Sequence, residues 1–88
     1  MTLNEILNVY SKVTGNNYIG VAKIERLMGA YKRVTIDVYN DNSKESVITK
    51  IKTEKIKDED LSEFKKKLEL EALEDLFKLT ILPCGVSG

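Results

Sequence analysis

The most highly charged segment of the chain, KDEDLSEFKKK at residues 57–67, carries groups capable of chemistry at both ends. Asp58, Glu59 and Asp60 are adjacent acids, and residues 65–67 are three consecutive lysines. Carboxylates can transfer protons, and lysine ammonium groups can bind phosphates. Acids at the start of a helix also stabilise the helix dipole, and lysines one turn later can pair with nearby glutamates. We interpret the segment as a solvated helical surface, with an anion-binding patch as the alternative.

Catalytic constellations are missing from the sequence. It contains no histidine, no serine in a Gly-x-Ser-x-Gly setting and no glycine-rich loop of the kind that cradles phosphates. The single cysteine, Cys84, excludes an intramolecular disulfide, and without histidine no ordinary zinc site can form. We therefore expect a protein that is not an enzyme, with an inert Cys84 and with no metal, cofactor or small-molecule substrate.

Length and charge favour a small binding domain. The 88 residues, 42% of them hydrophobic, suffice for one globular domain, expected over residues 1–82 with a C-terminal tail at residues 83–88. The formal net charge is zero, whereas a dedicated nucleic-acid binder usually has a basic excess. No segment approaches the roughly 18 apolar residues of a membrane span, and the N-terminus does not resemble a secretion signal. The expected location is the cytoplasm, with no membrane partner.

Helical patterns occur at both ends of the chain. Thr2 and Glu5 predict a capping box at the start of a first helix, whose apolar residues recur at helical spacing until Gly15 can end it. Asp60 is placed to cap a second helix over residues 61 to about 79. Each helix therefore has its own start signal.

β-Branched residues between the helices predict strands. Residues 33–40 and 46–53 alternate apolar and polar side chains, which favours a hairpin with one buried face. Residues 18–26 predict a further strand, because β-branched side chains and a glycine suit a sheet. The alternative is a helix over residues 21–28, which would form a helix-turn-helix motif with Gly29 at the turn.

The favoured interpretation is an α+β domain of order α-β-β-β-α. A three-stranded antiparallel sheet would carry both helices on one face, with the alternating strand residues and the helical stripes turned toward each other. The residues expected to supply most of the core are Leu3, Ile6, Leu7, Tyr10, Val34, Ile36, Val38, Leu61, Phe64, Leu68, Leu73 and Leu76.

The second helix has a wider apolar surface in its C-terminal half. Leu70, Leu73 and Phe77 stand well away from the stripe that begins at Leu61. Contact with one sheet does not require this width. The three residues are therefore predicted to form a protein interface, either with a second copy of the chain or with another protein. Ordinary packing against the first helix is the alternative.

The element order and several short motifs resemble the double-stranded-RNA-binding domain. The similar residues are LNE at 3–5 and Asn8 in the first helix, Tyr18 at the first strand, and EALEDL at 71–76. The resemblance covers nearly the whole chain. It implies a domain that recognises double-stranded RNA mainly by shape.

The resemblance implies three regions of RNA contact. Glu5 and Asn8 would enter one minor groove from the first helix. Lys32 and Arg33 would contact the next minor groove, and Lys65 would bind the phosphates between the two. The sequence departs from the family in the last two regions, where MGAYK lacks a Pro-x-His signature and DEDLSEF replaces Lys-Lys-x-Ala-Lys.

The sequence therefore predicts a binding module that acts mainly through protein contacts, as a homodimer, an adaptor or an inhibitor of a nucleic-acid-processing partner. Binding of double-stranded RNA is the alternative, and helix-turn-helix DNA binding is a minor one. The balanced charge decides this order, because neutralisation of phosphates supplies most of the sequence-independent affinity for nucleic acids.

Overall fold

The computed structural model describes residues 1–86, with side chains as far as Thr80. Its five main elements follow the predicted order α-β-β-β-α. They are α1 (Leu3–Thr14), β1 (Tyr18–Arg26), β2 (Tyr31–Asn40), β3 (Glu45–Lys55) and α2 (Leu61–Val86). The last helix therefore continues past its predicted end near Leu79, and the expected tail at residues 83–88 lies outside the described side chains.

Residues 18–26 form a strand. Every residue of β1 pairs with β2 in an antiparallel register that runs from Tyr18 opposite Asn40 to Arg26 opposite Lys32. The alternative of a helix over residues 21–28 is therefore wrong, and the helix-turn-helix motif that required it is absent from this part of the chain.

The capping box predicted for α1 is confirmed. The backbone N–H of Glu5 donates to Thr2 Oγ1 at 3.2 Å, and the backbone N–H of Thr2 donates to Glu5 Oε1 at 2.9 Å. The hydrogen bond from the Thr2 backbone N–H to the Glu5 carboxylate is the largest of the effects that lower the pKa of Glu5. Gly15 ends the helix with a φ of 73°, a left-handed conformation that glycine adopts without strain.

The sheet has the order β1-β2-β3, and all its neighbouring strands are antiparallel. Alternate residues of the central strand β2 are buried, namely Lys32, Val34, Ile36 and Val38. A register shift after Val38 gives β3 one extra residue near its start. The buried face of β2 is the face on which both helices pack.

Close contact between α1 and β1 depends on Gly20. The Asn4 side chain donates to the Gly20 carbonyl at 3.0 Å and accepts from the Gly20 N–H at 2.9 Å. A Cβ atom at Gly20 would lie 2.5 Å from Leu3 Cδ2. The helix can therefore approach the strand only because this residue has no side chain.

One apolar core lies between the sheet and the two helices. All twelve residues predicted for it are confirmed as buried or as packed against the buried cluster, with Ile6, Tyr10 and Phe64 only partly buried. Tyr18 and Ala72 also belong to the cluster. The predicted fold is thus supported by its predicted core.

Candidate protein-binding surface

The two helices lie side by side, and aromatic rings connect them. The centroid of the Tyr10 ring is 4.8 Å from that of Phe77 in α2 and 5.9 Å from that of Tyr18 in β1. The hydroxyl groups of Tyr10 and Thr80 are hydrogen-bonded. Burial raises the pKa of Tyr18, so this phenol remains neutral at physiological pH. These contacts set the position of α1 against α2.

A groove separates the start of α1 from the middle of α2. Apolar side chains form most of its walls, and the charged members of its lining are Lys66 and Glu69. Its lining includes Met1, Leu3, Ile6, Lys66, Leu70 and Leu73. We call it the α1–α2 groove.

The three residues predicted to form an interface have different environments. Leu70 is 56% exposed in the wall of the groove, Leu73 is only 4% exposed in the core, and Phe77 is half-buried against Tyr10. Helical spacing of about 100° per residue explains the difference, since Leu73 lies about 60° from the fully buried Leu76, and Leu70 about 120° from it. The available apolar area therefore centres on Leu70.

The helix α1 adds apolar side chains to the same side of the molecule. Val9 and Val13 are exposed. By helical spacing both lie on the side of α1 that carries Ile6 and Tyr10, which faces α2. The sequence interpretation assigned neither valine to an interface. The signal available was their apolar side chains at positions away from the Leu3–Leu7 stripe.

The opposite, outer face of the sheet offers a less continuous apolar surface. Val21 and Ile51 are exposed there. In the register of the strands Val21 lies opposite Asp37, and Ile51 lies opposite Thr35, so polar residues of the central strand separate them. Asp37 also accepts hydrogen bonds from hydroxyl groups of β3. The side of the molecule that carries α1 and α2, which we call the helical side, is therefore the better candidate for an apolar interface.

Three of the residues that the resemblance implies as RNA contacts lie together on the helical side. Glu5 and Lys65 line one depression between the N-terminus and the first turns of α2, and Asn8 is exposed on α1. Both charged groups already have partners, since Glu5 is part of the capping box and Lys65 Nζ lies 3.6 Å from Glu69 Oε2.

Lys32 and Arg33 lie away from that group and on opposite faces of β2. Lys32 is 6% exposed, and its ammonium group donates to the carbonyl of Ile56 at 2.6 Å. Arg33 Nη1 lies 3.7 Å from Glu25 Oε2 on the outer face of the sheet. The structure therefore does not bring the five implied RNA-contacting residues onto one surface. Lys32, in particular, is buried and occupied.

Acidic side chains occupy the position where the resemblance places phosphate contacts. Asp58, Glu59 and Asp60 form the turn before α2, and all three are exposed. Hydrogen bonds from Arg26 and then Lys32 lower the pKa of Asp58, so its carboxylate stays charged well below neutral pH. Like charges repel, so this turn disfavours a phosphate backbone.

Within the described part of the chain, no three acidic or cysteine side chains are grouped in a way that would hold a metal ion. The side chain of Cys84 lies outside that part. No helix among the described residues has both the length and the apolarity to cross a bilayer.

Comparison with known proteins gives no match to a family model, to a characterised protein or to a solved structure.

Proposed function

We propose that this domain is a non-enzymatic protein-interaction module that binds through the helical side of the molecule. The observation that carries the proposal is the exposure of Leu70 in the wall of the α1–α2 groove. Exposed Val9 and Val13 extend the apolar surface along α1. The sequence motifs resemble those of the double-stranded-RNA-binding domain, but the proposed partner is a protein surface.

The size of the apolar surface indicates an interface of modest affinity. Full burial of one leucine side chain contributes about 1.5–3 kcal/mol, and Leu70 already has part of its surface covered. Interfaces below about 1,200 Å² of total buried area are typical of weak or transient complexes. We therefore expect association in the micromolar range or weaker.

The contacts of the charged residues weaken the RNA-binding alternative. Lys32 is buried, Lys65 is paired with Glu69, and Arg33 is on the other face of the sheet. The acids before α2 add repulsion where an RNA-binding domain needs phosphate contacts. The residues still available to contact RNA are Asn8 and Lys66, which are exposed on the helical side.

The test compares two leucines of equal exposure on opposite faces of α2. Leu70 is 56% and Leu79 is 55% exposed, and nine helical steps place them about 180° apart. Sedimentation velocity up to about 1 mM, where an association free energy of only ~4 kcal/mol becomes visible, should show self-association that Leu70→Glu abolishes. Leu79→Glu, the matched control, should leave it unchanged.

Titration with double-stranded RNA tests the alternative function. A duplex of about 16 base pairs, the span that double-stranded-RNA-binding domains cover, should not bind the wild-type protein at low salt. Tight binding that weakens steeply as salt is added would contradict the proposed function.

A further inference from the structure

An exposed ridge on α2 carries opposite charges at its two ends. Lys66, Leu70 and Glu74 are four residues apart, so their side chains follow one another along a single helical ridge. All three are exposed. Among the side chains that the structure describes, neither Lys66 nor Glu74 forms an ion pair within 4.0 Å, whereas the adjacent Lys65 pairs with Glu69. A hydrogen bond to Asp75 is the main effect that raises the pKa of Lys50 in β3, and the charge of Glu74 contributes to the same shift.

This ridge is complementary to its own reversed copy. Its order is cation, leucine, carboxylate. When two such ridges pack antiparallel about a two-fold axis beside Leu70, Lys66 of each copy meets Glu74 of the other. Because a two-fold axis repeats every contact, the arrangement forms two ion pairs around a pair of leucines.

The packing of such ridges is a common helix–helix geometry. Ridges of residues four apart interdigitate when the helix axes cross at about −50°, the most frequent class in globular proteins. Leu73 and Phe77 belong to the neighbouring ridge, and the α1–α2 groove lies on that side of Leu70. A leucine of a second copy would therefore enter a depression with apolar walls.

We infer that the partner of the helical side is a second copy of this chain, bound through antiparallel contact of the two α2 helices. This inference rests on the proposed function and on the self-association that tests it, to which it adds the geometry of the contact between the two copies. A partner surface of one charge sign would place a like charge against either Lys66 or Glu74. A second copy of the chain places a carboxylate against Lys66 and an ammonium group against Glu74.

The test uses charge reversal of the two ridge ends. Lys66→Glu places an acid against Glu74 of the partner copy at both ends, and Glu74→Lys places a lysine against Lys66 at both ends. Each variant alone should self-associate roughly ten-fold more weakly, a change of ~1.4 kcal/mol for the two altered pairs. The double variant should regain wild-type self-association.

Mixing the two single variants gives the sharpest readout. In a complex of Lys66→Glu with Glu74→Lys, every acid faces a lysine, whereas each homodimer has like charges in contact. With one variant isotope-labelled, native mass spectrometry should show the mixed dimer in excess over both homodimers. Loss of helical stability in either variant would lower homodimers and mixed dimers alike, and circular dichroism monitors it.

Lys67→Glu is the matched control for charge. It makes the same change one residue further on, where the side chain lines the depression between α2 and β3. It should leave self-association unchanged.

Two results would overturn the inference. One is a wild-type protein that stays monomeric, and the other is a self-associating wild type whose two charge variants show no preference for each other. The second result leaves the proposed function standing, since self-association that Leu70→Glu abolishes is measured separately. The proposed function fails by itself if duplex RNA binds tightly and in a salt-dependent way.

Discussion

The ring of Tyr10 packs against the ring of Phe77 at a centroid distance of 4.8 Å and an interplanar angle of 58°. Tilted aromatic pairs of this kind contribute about 0.5–1.5 kcal/mol beyond the burial of their area. The pair joins the first helix to the last across most of the length of the chain. Phe77, predicted from the sequence as an interface residue, therefore also stabilises the monomer.

Truncation of Phe77 should reduce the stability of the fold. Phe77→Ala removes the ring that contacts Tyr10 and should lower the free energy of unfolding by about 2 kcal/mol, below the 3–5 kcal/mol of a fully buried ring. Chemical denaturation measures it, and Phe77→Leu should cost less because most of the apolar volume remains. Unchanged stability with weakened self-association would instead place Phe77 in the interface.

Addition of one methyl group at Gly20 should also be destabilising. Gly20→Ala places a Cβ 2.5 Å from Leu3 Cδ2, and Leu3 is buried. The helix must move or Leu3 must change rotamer, which typically costs 1–3 kcal/mol. The same substitution with Leu3→Val should cost less than the sum of the two single changes, because the shorter side chain relieves the overlap. Strict additivity would show that the contact is not the cause.

The helices, the strands and the core could be predicted from the sequence because each depends on local periodicity. Capping residues, β-branched residues and Gly15 determine element starts and ends over a few residues. The face of the sheet on which a charged residue lies was harder to predict. Lys32 has the same parity in β2 as Val34 and is therefore buried, although its charge suggested an exposed contact for RNA.

The candidate site could be predicted only in part. The widening of the apolar face of α2 was visible in the spacing of its leucines. Which of them remains exposed depends on where α1 lies, and that is set by the contact of Tyr10 with Phe77, which joins residues distant in the sequence. The pairing of Lys65 with Glu69, by contrast, follows from their spacing of four residues on α2, and the sequence predicts pairing of these lysines with nearby glutamates.

The dependence of the unfolding free energy on pH should reveal the role of Asp58. Its pKa is lowered by hydrogen bonds from Arg26 and Lys32, so its contribution to stability is present above the unfolded-state pKa of about 3.9 and is lost as pH falls through the lower folded-state value. The difference in unfolding free energy between wild type and Asp58→Asn should be constant from pH 7 to about 4 and then shrink. A difference that grows on acidification would contradict this role.

Removal of the ammonium group of Lys32 should affect folding. Lys32→Met keeps the aliphatic stem but leaves the carbonyl of Ile56 without its donor, which should cost about 1–3 kcal/mol of unfolding free energy. Arg33→Met, at the half-buried neighbouring position on the outer face of the sheet, is the control and should be nearly neutral, because a partly exposed ion pair contributes little. If thermal or chemical denaturation showed no loss in Lys32→Met, the buried ammonium would have no structural role.

Backbone amide shifts of the wild-type protein, compared between dilute and concentrated solution, report self-association residue by residue. We expect concentration-dependent shifts at Ile6, Lys66, Leu70 and Glu74, with half-maximal change below about 1 mM. Spectra that do not change with concentration, or shifts confined to Val21 and Ile51 on the outer face of the sheet, would contradict it.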